Sequence, residues 1–447
     1  MKFKLLYVII FLATVSVNGQ ETLNLSLQEA IDYALENSYA TINANRDIDI
    51  AKNKNWETIA TGLPQIDANA EYNNWIKQQV SLIPSDFFGG ESGDFVEVVF
   101  GPSQSMNATA TLKQLIFDGS YIVGVQFTDT YLQISENAKE KTEQGVREAV
   151  INAYGNVLFS EEGLEIIDNN ILSIQKTLNE TKQIFENGLT EEESVEQLEI
   201  TLAQLEILRS RTARLKDIAY KMLNLTLGSD INTPIILKDH LEDLATTYME
   251  ISLMADSFNV EEHIDYRIAL NEEEGKRAML KLEQASYLPT LSGFINFGYA
   301  GFGESFDFFR REQQWFDSSL VGVSLNLPIF SSMGRNAKKQ QAKIALDKAK
   351  TNINETEQRL FLELETAKTE YNYSVEEYET LKRNLKLAER IEAKQQVKFF
   401  EGISTSFELN EAQSQLYRTQ QEYLQSMLNV ISKKAALDKA LNTPINR

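Results

Sequence analysis

Phe185-Glu186-Asn187-Gly188-Leu189-Thr190 returns later in the chain as Phe400-Glu401-Gly402-Ile403-Ser404, its glycine displaced by 214 residues. In both places the glycine interrupts a long helical pattern. Glycine reaches the left-handed conformation that reverses a chain after a helix, so each segment predicts the turn of a helical hairpin. Upstream of the first turn, Val146, Val150, Ala153, Val157, Ser160, Leu164, Ile167, Ile171, Ile174, Leu178, Thr181 and Phe185 recur at alternating steps of four and three. That 3.5-residue period puts them on one stripe and drives left-handed coiled packing. Val195, Leu198, Leu202, Leu205, Leu208, Thr212, Leu215, Ala219 and Met222 continue it after the turn. Leu360, Leu364, Ala367, Tyr371, Ser374, Tyr378, Leu381, Leu385 and Ala388 repeat it before the second turn.

The echo extends well beyond the turns. Leu63-Pro64 is matched by Leu288-Pro289, Leu115-Ile116-Phe117 by Leu327-Pro328-Ile329-Phe330, and Ala30-Ile31-Asp32-Tyr33 by His263-Ile264-Asp265-Tyr266. Asn232-Thr233-Pro234-Ile235 is matched by Asn442-Thr443-Pro444-Ile445. Five matches in one order indicate two copies of a unit, residues 20–235 and 236–447. Each reads helix, strand, loop, strand, very long helix, turn, long helix. Strands are expected at 64–80, 104–117, 288–302 and 315–330, and the helical hairpins at 120–228 and 334–442. A continuous helix from Tyr121 to Phe185 would reach roughly 100 Å, which predicts a rod or a tube.

Ile66, Ala68, Ala70 and Tyr72 alternate with Asp67, Asn69, Glu71 and Asn73, and Val321, Val323, Leu325 and Leu327 alternate with Gly322, Ser324 and Asn326. Apolar-out, polar-in segments of about ten residues suit a membrane barrel. A half-buried strand of a soluble sheet has the same period. The loops favour the membrane, because Phe87, Phe88, Phe95 and Phe100 crowd the first, and Phe302, Phe306, Phe308, Phe309, Trp315 and Phe316 the second. Aromatic rings at strand ends fit an interface belt. Four strands cannot close a barrel, and open edges are not tolerated in hydrocarbon, so several chains must share one.

Composition closes other routes. Only 21 Gly and 7 Pro in 447 residues leave few breaks, which argues for few, long helices. There is no Cys and only two His, His240 and His263, which removes thiolate sites and most zinc or His-based chemistry. His240 and His263 read as plain surface or helix-end residues. A net charge of −22 opposes nucleic-acid binding. No phosphate loop, nucleophile elbow or zinc pattern is present, so no catalytic residue, cofactor or metal is expected and the chain is not read as an enzyme. Lys2 and Lys4 followed by an apolar run from Leu5 to Val17 read as a signal peptide over 1–19.

This duplicated helix–strand–strand–helix–helix layout resembles the TolC-like outer membrane efflux proteins. The local likeness lies in Leu25-Ser26-Leu27-Gln28-Glu29-Ala30, Gly62-Leu63-Pro64, Leu115-Ile116-Phe117-Asp118-Gly119 and Leu325-Asn326-Leu327-Pro328-Ile329-Phe330. The resemblance implies a mainly α fold with membrane β: a long coiled-coil α-helical barrel and four strands per chain, shared by a homotrimer as one twelve-stranded β-barrel. It implies passive export through the outer membrane, with the helices in the periplasm. The partners it implies are a periplasmic adaptor, an inner-membrane transporter of RND or ABC type, and outer membrane lipid.

Within that resemblance, Gly188, Leu189, Thr190, Gly402, Ile403 and Ser404 form the tips that dock the adaptor, in addition to capping the helices. Glu408 and Glu411, three residues apart on one helix face, line an acidic periplasmic mouth; the alternative is ordinary acidic preference in a first helical turn. Glu191, Glu192 and Glu193 read as solvated cap residues, and Lys338, Lys339, Lys343, Lys348 and Lys350 as a solvated helix face. A soluble periplasmic coiled-coil scaffold or adaptor is the competing function, and a secreted hydrolase is disfavoured by the lack of a nucleophile with a base.

Overall fold

The computed structural model describes residues 22–251 and 258–443; the expected signal peptide and the Pro444-Ile445 part of the repeat lie outside them. The chain divides into two compact units.

One unit draws on Met1–Arg46, Asn137–Arg267 and Glu355–Arg447. Its elements are β1 (Leu23–Leu25), α1 (Leu27–Asn37), most of α4 (Thr128–Glu186), α5 (Glu192–Leu227), β6 (Ile235–Leu237), α6 (Leu241–Ile251), most of α8 (Gly334–Phe400) and α9 (Ser406–Ala440). Tyr154, Ile31, Leu223, Leu227, Leu241 and Ile431 are fully buried in its main core. Ile167, Ile171, Ile174, Leu178, Val195, Leu198 and Leu205 form a second cluster between α4 and α5. The heptad stripe on α4 is therefore the buried one. The stripe on α5 is buried only in part: Val195, Leu198, Leu205 and Ala219 are buried, but Leu208, Leu215 and Met222 are exposed, and near the helix end burial passes to Leu223 and Leu227. Helical periodicity fixes which residues share a face, but not which face the chain itself covers.

β1 and β6 pair in parallel, Leu23 opposite Ile235 and Leu25 opposite Leu237, which ties the chain's first strand to the segment where the two repeats meet, a contact the sequence does not announce. Asp239 ties this corner together. Its Oδ2 accepts the Leu27 N–H at 2.7 Å and lies 2.8 Å from the Tyr154 hydroxyl. Burial raises the pKa of Tyr154 well above that of a free phenol, so the hydroxyl stays a donor. His263 corrects the surface reading: it is buried, and its Nδ1 accepts the Asp265 N–H at 3.1 Å at the start of α7 (Ile264–Ala285). Desolvation lowers its pKa.

The other unit comprises Asp47–Glu136 and Ile268–Asn354. It contains most of α2 (Tyr39–Ala60) and α7, the strands β2 (Gln65–Asn74), β3 (Val80–Pro84), β4 (Phe95–Val99), β5 (Gln104–Asp118), β7 (Thr290–Gly303) and β8 (Trp315–Asn326), α3 (Gly119–Gln126) and the start of α8. The four long strands form one antiparallel sheet in the order β2-β5-β7-β8. β8 stops at Asn326 instead of 330, since Pro328 has no N–H to continue a ladder. β2 stops at Asn74 instead of 80. The loop expected after it carries its own hairpin, β3 with β4, around a 3₁₀ turn at Ser85–Phe88.

Candidate functional site

Register decides what the sheet presents. Ile66 pairs with Leu112, Leu112 with Ile295, and Ile295 with Val321. Ala68, Ala110 and Phe297 form the next row, and Ala70, Ala108 and Tyr299 the one after. Directly paired residues share a face, so most of the apolar set of the four strands falls on one side; on β8, Ser319 and Asp317 end the next two rows of that side, and Leu320, opposite Asn296, lies on the other. Asp67, Thr111 and Asn296, then Asn69, Thr109, Gly298 and Ser318, make rows on the other. Ile66, Phe297, Tyr299, Val321, Val323 and Leu325 are all exposed. The aromatic loop after β7 folds partly inward: Phe308 is buried, with Tyr72, Phe306 and Trp315 rings around it.

The two tips share one geometry. Gly188 and Gly402 both sit at φ +73°. Gly188 N–H donates to Phe185 O at 2.7 Å and Leu189 N–H to Ile184 O at 3.1 Å; Gly402 N–H donates to Phe399 O at 3.0 Å and Ile403 N–H to Lys398 O at 2.9 Å. This is the Schellman pattern, which satisfies the last carbonyls of a helix. A Cβ on either glycine would meet open space, so only the backbone conformation demands glycine there. Leu189 and Ile403 are 78% and 71% exposed. Thr190 bonds the Ser194 hydroxyl at 3.3 Å. Glu191, Glu192 and Glu193 are exposed around the start of α5, as solvated cap residues.

Sequence reading missed a groove beside the first tip. It has a volume of about 640 Å³ and brings Leu189 together with Ile184, Val397 and Phe400, with Lys176 and Glu180 on its rim. Val397 lies off the buried stripe of α8 and is exposed, which was the one available signal.

The acidic pair separates into two roles. Glu408 is turned back onto the start of its own helix. It accepts the Thr405 N–H at 2.9 Å and the Ser404 hydroxyl at 2.8 Å, while Thr405 Oγ1 accepts the Glu408 N–H at 3.2 Å. This capping box holds the Glu408 carboxyl below its usual pKa, chiefly through the backbone bond to Thr405. Glu411 is exposed one turn on. Among the described residues, no cluster of His, Cys, Asp or Glu is arranged to hold a metal, and no helix is long and apolar enough to cross a membrane.

Residues 267–443 match the family model described as outer membrane efflux protein. The chain has the TolC-like outer membrane channel fold. The crystal structure of the outer membrane protein VceC from Vibrio cholerae superposes with a TM-score of 0.69 at 17% identity, covering 93% of this chain and 95% of that one. The CmeC outer membrane channel of Campylobacter jejuni gives 0.70 at 16%, covering 93% and 85%. The MtrE outer membrane channel of Neisseria gonorrhoeae, in its open state, gives 0.67 at 15%, covering 93% and 88%. No curated protein sequence matches the chain. The mainly α fold with four long strands and the resemblance to TolC-like proteins read from the sequence are borne out.

Proposed function

We propose that this protein is the outer membrane exit duct of a tripartite efflux or type I secretion system, through which small molecules or proteins pass without chemical change. The observation that carries the reading is the exposed apolar face built in register by all four strands, Ile66–Leu112–Ile295–Val321 at its head. A soluble scaffold would leave that face in water at a cost of about 25 cal/mol per Å². The sheet ends at β2 and β8, neither of which pairs on its outer side among the described residues. Pairing β8 of one copy with β2 of the next closes the edges, and three copies give twelve strands. The exposed stripe Leu208, Leu215 and Met222 on α5 offers a matching helical contact between copies.

In this arrangement the helices stand in the periplasm. The tips at Gly188-Leu189-Thr190 and Gly402-Ile403-Ser404 meet an adaptor, which couples the duct to an RND or ABC transporter. Glu411 contributes acid to the periplasmic mouth beside the capped Glu408. Detergent-solubilised protein should have three times the mass of one mature chain and form cation-preferring pores in a planar bilayer. A monomer that conducts, or a protein recovered in soluble form without detergent, refutes the shared barrel.

A further inference from the structure

We propose that the collar where β8 runs into α8 binds the phosphate groups of anionic phospholipids in the periplasm-facing leaflet. The inference rests on the membrane reading above and adds a lipid class to it.

Three observations converge, all within the sheet-bearing unit. The first is charge. Gly334–Leu346 contains Arg335, Lys338, Lys339 and Lys343 and no acid, in a chain whose net charge is −22. None of the four belongs to an ion pair among the described residues. Some cations of the same unit are paired, Lys54 with Glu57 at 2.7 Å and Arg277 with Glu273 at 2.8 Å, but none of the paired ones stands in a run of four. A run of unpaired cations amid excess acid is what an external anion would explain.

The second is continuity with the apolar face. Val321, Val323 and Leu325 lead directly into Ile329, Phe330 and Met333, which are 89%, 83% and 68% exposed. The cations follow within the next ten residues. At about 1.5 Å per helical residue, Met333 to Lys343 spans roughly 15 Å. That is enough to cross a headgroup layer, and Lys and Arg stems can reach back to it.

The third is backbone strain. Ser332 and Met333 lie consecutively at φ +48° and +64°, conformations that side-chain-bearing residues rarely adopt. Gly334 N–H closes the turn on Ser331 O at 2.8 Å. Strain of this kind concentrates at binding sites. Here it lies directly before the start of α8, at the point where exposed apolar residues give way to cations.

Phosphate suits this set. Juxtamembrane Lys and Arg attract anionic lipid additively, and Arg335 can hold a phosphate in two-point contact. Three copies would place twelve such cations around one barrel.

The test uses the full-length protein and a variant carrying R335Q, K338Q, K339Q and K343Q, compared by native mass spectrometry with phosphatidylglycerol and phosphatidylcholine. The wild type should retain phosphatidylglycerol over phosphatidylcholine, and the variant should lose that preference by at least about tenfold. A second variant, K338R with K339R and K343R, should keep it. Equal preference in the wild type and the Gln variant overturns the proposal. So does a Gln variant that keeps its lipid preference but no longer binds the adaptor, which would make the collar a protein contact. Insertion of both proteins into neutral phosphatidylcholine vesicles is measured in parallel. If neither inserts, the membrane reading and this proposal fall together; if both insert and lipid preference is unchanged, only the proposal falls.

Discussion

Asn442 occupies in the second repeat the place that Gly228 holds in the first. Each follows its tip glycine by 40 residues. Each closes its helix in left-handed backbone, at φ +82° for Gly228 and +56° for Asn442. Ser229 N–H reaches Asn224 O, and Thr443 N–H reaches Asp438 O, in the same pattern. The echo of Asn232-Thr233-Pro234 in Asn442-Thr443-Pro444 is therefore four residues out of step with the folded repeat.

The two positions should lose stability on exchange for different reasons. A Cβ on Gly228 would lie 2.1 Å from Asn37 O, so G228A should lose more than the 1–2 kcal/mol that left-handed alanine costs by itself. Asn442 uses its side chain: Oδ1 accepts Gln144 Nε2–H at 2.8 Å and Ile264 N–H at 3.2 Å. N442G should fold and lose about 1–3 kcal/mol through those bonds. Denaturant melts of both variants decide; a neutral G228A contradicts the close approach.

The tips should tolerate small changes and fail with large ones. G188A and G402A meet open space, so each should lose only about 1–2 kcal/mol. G188W or G402W should assemble normally yet abolish export, because bulk is added where an adaptor would sit. Normal export by the Trp variants would reduce the tips to helix caps.

Glu408 and Glu411 should separate when each is replaced. The Glu408 carboxyl is held below its ordinary pKa by Thr405, so its contribution to stability is present above the unfolded value near 4.5 and fades as pH falls through the lower folded value. E408A should remove that acid-side dependence of the melting temperature. E411Q should leave melting unchanged and weaken cation preference in a planar bilayer. Unchanged selectivity would leave the mouth without an acidic role for Glu411.

The apolar sheet face should refuse charge. V323K places a cation on the face shared with Leu291, Leu325 and Ile295. It should cost about 2–4 kcal/mol near a bilayer midplane and shift the protein out of the membrane fraction, with helical content retained. G322S, on the opposite face but against the Phe294 ring, should insert while melting lower. Full membrane recovery of V323K would argue for a soluble sheet.

The sequence by itself determined the repeat, the tip turns, the strand alternation and the buried stripe of α4, because periodicity and glycine chemistry are local. It could not locate the β3–β4 hairpin, since Val80–Pro84 and Phe95–Val99 are too short to outweigh the loop residues between them. Nor could it separate Leu205, which the chain buries, from Leu208, Leu215 and Met222, which it leaves exposed on the same expected stripe. Only the tertiary structure decided that, because burial depends on which neighbour covers a face and not on the spacing along it. The same holds for Glu408 and Glu411: spacing placed both on one helix face, and folding turned one carboxylate back to cap Thr405 while leaving the other in solvent. For the sheet the dependence ran further. Alternation supplied each strand with an apolar side, and cross-strand register alone brought Ile66, Leu112, Ile295 and Val321 to the same one.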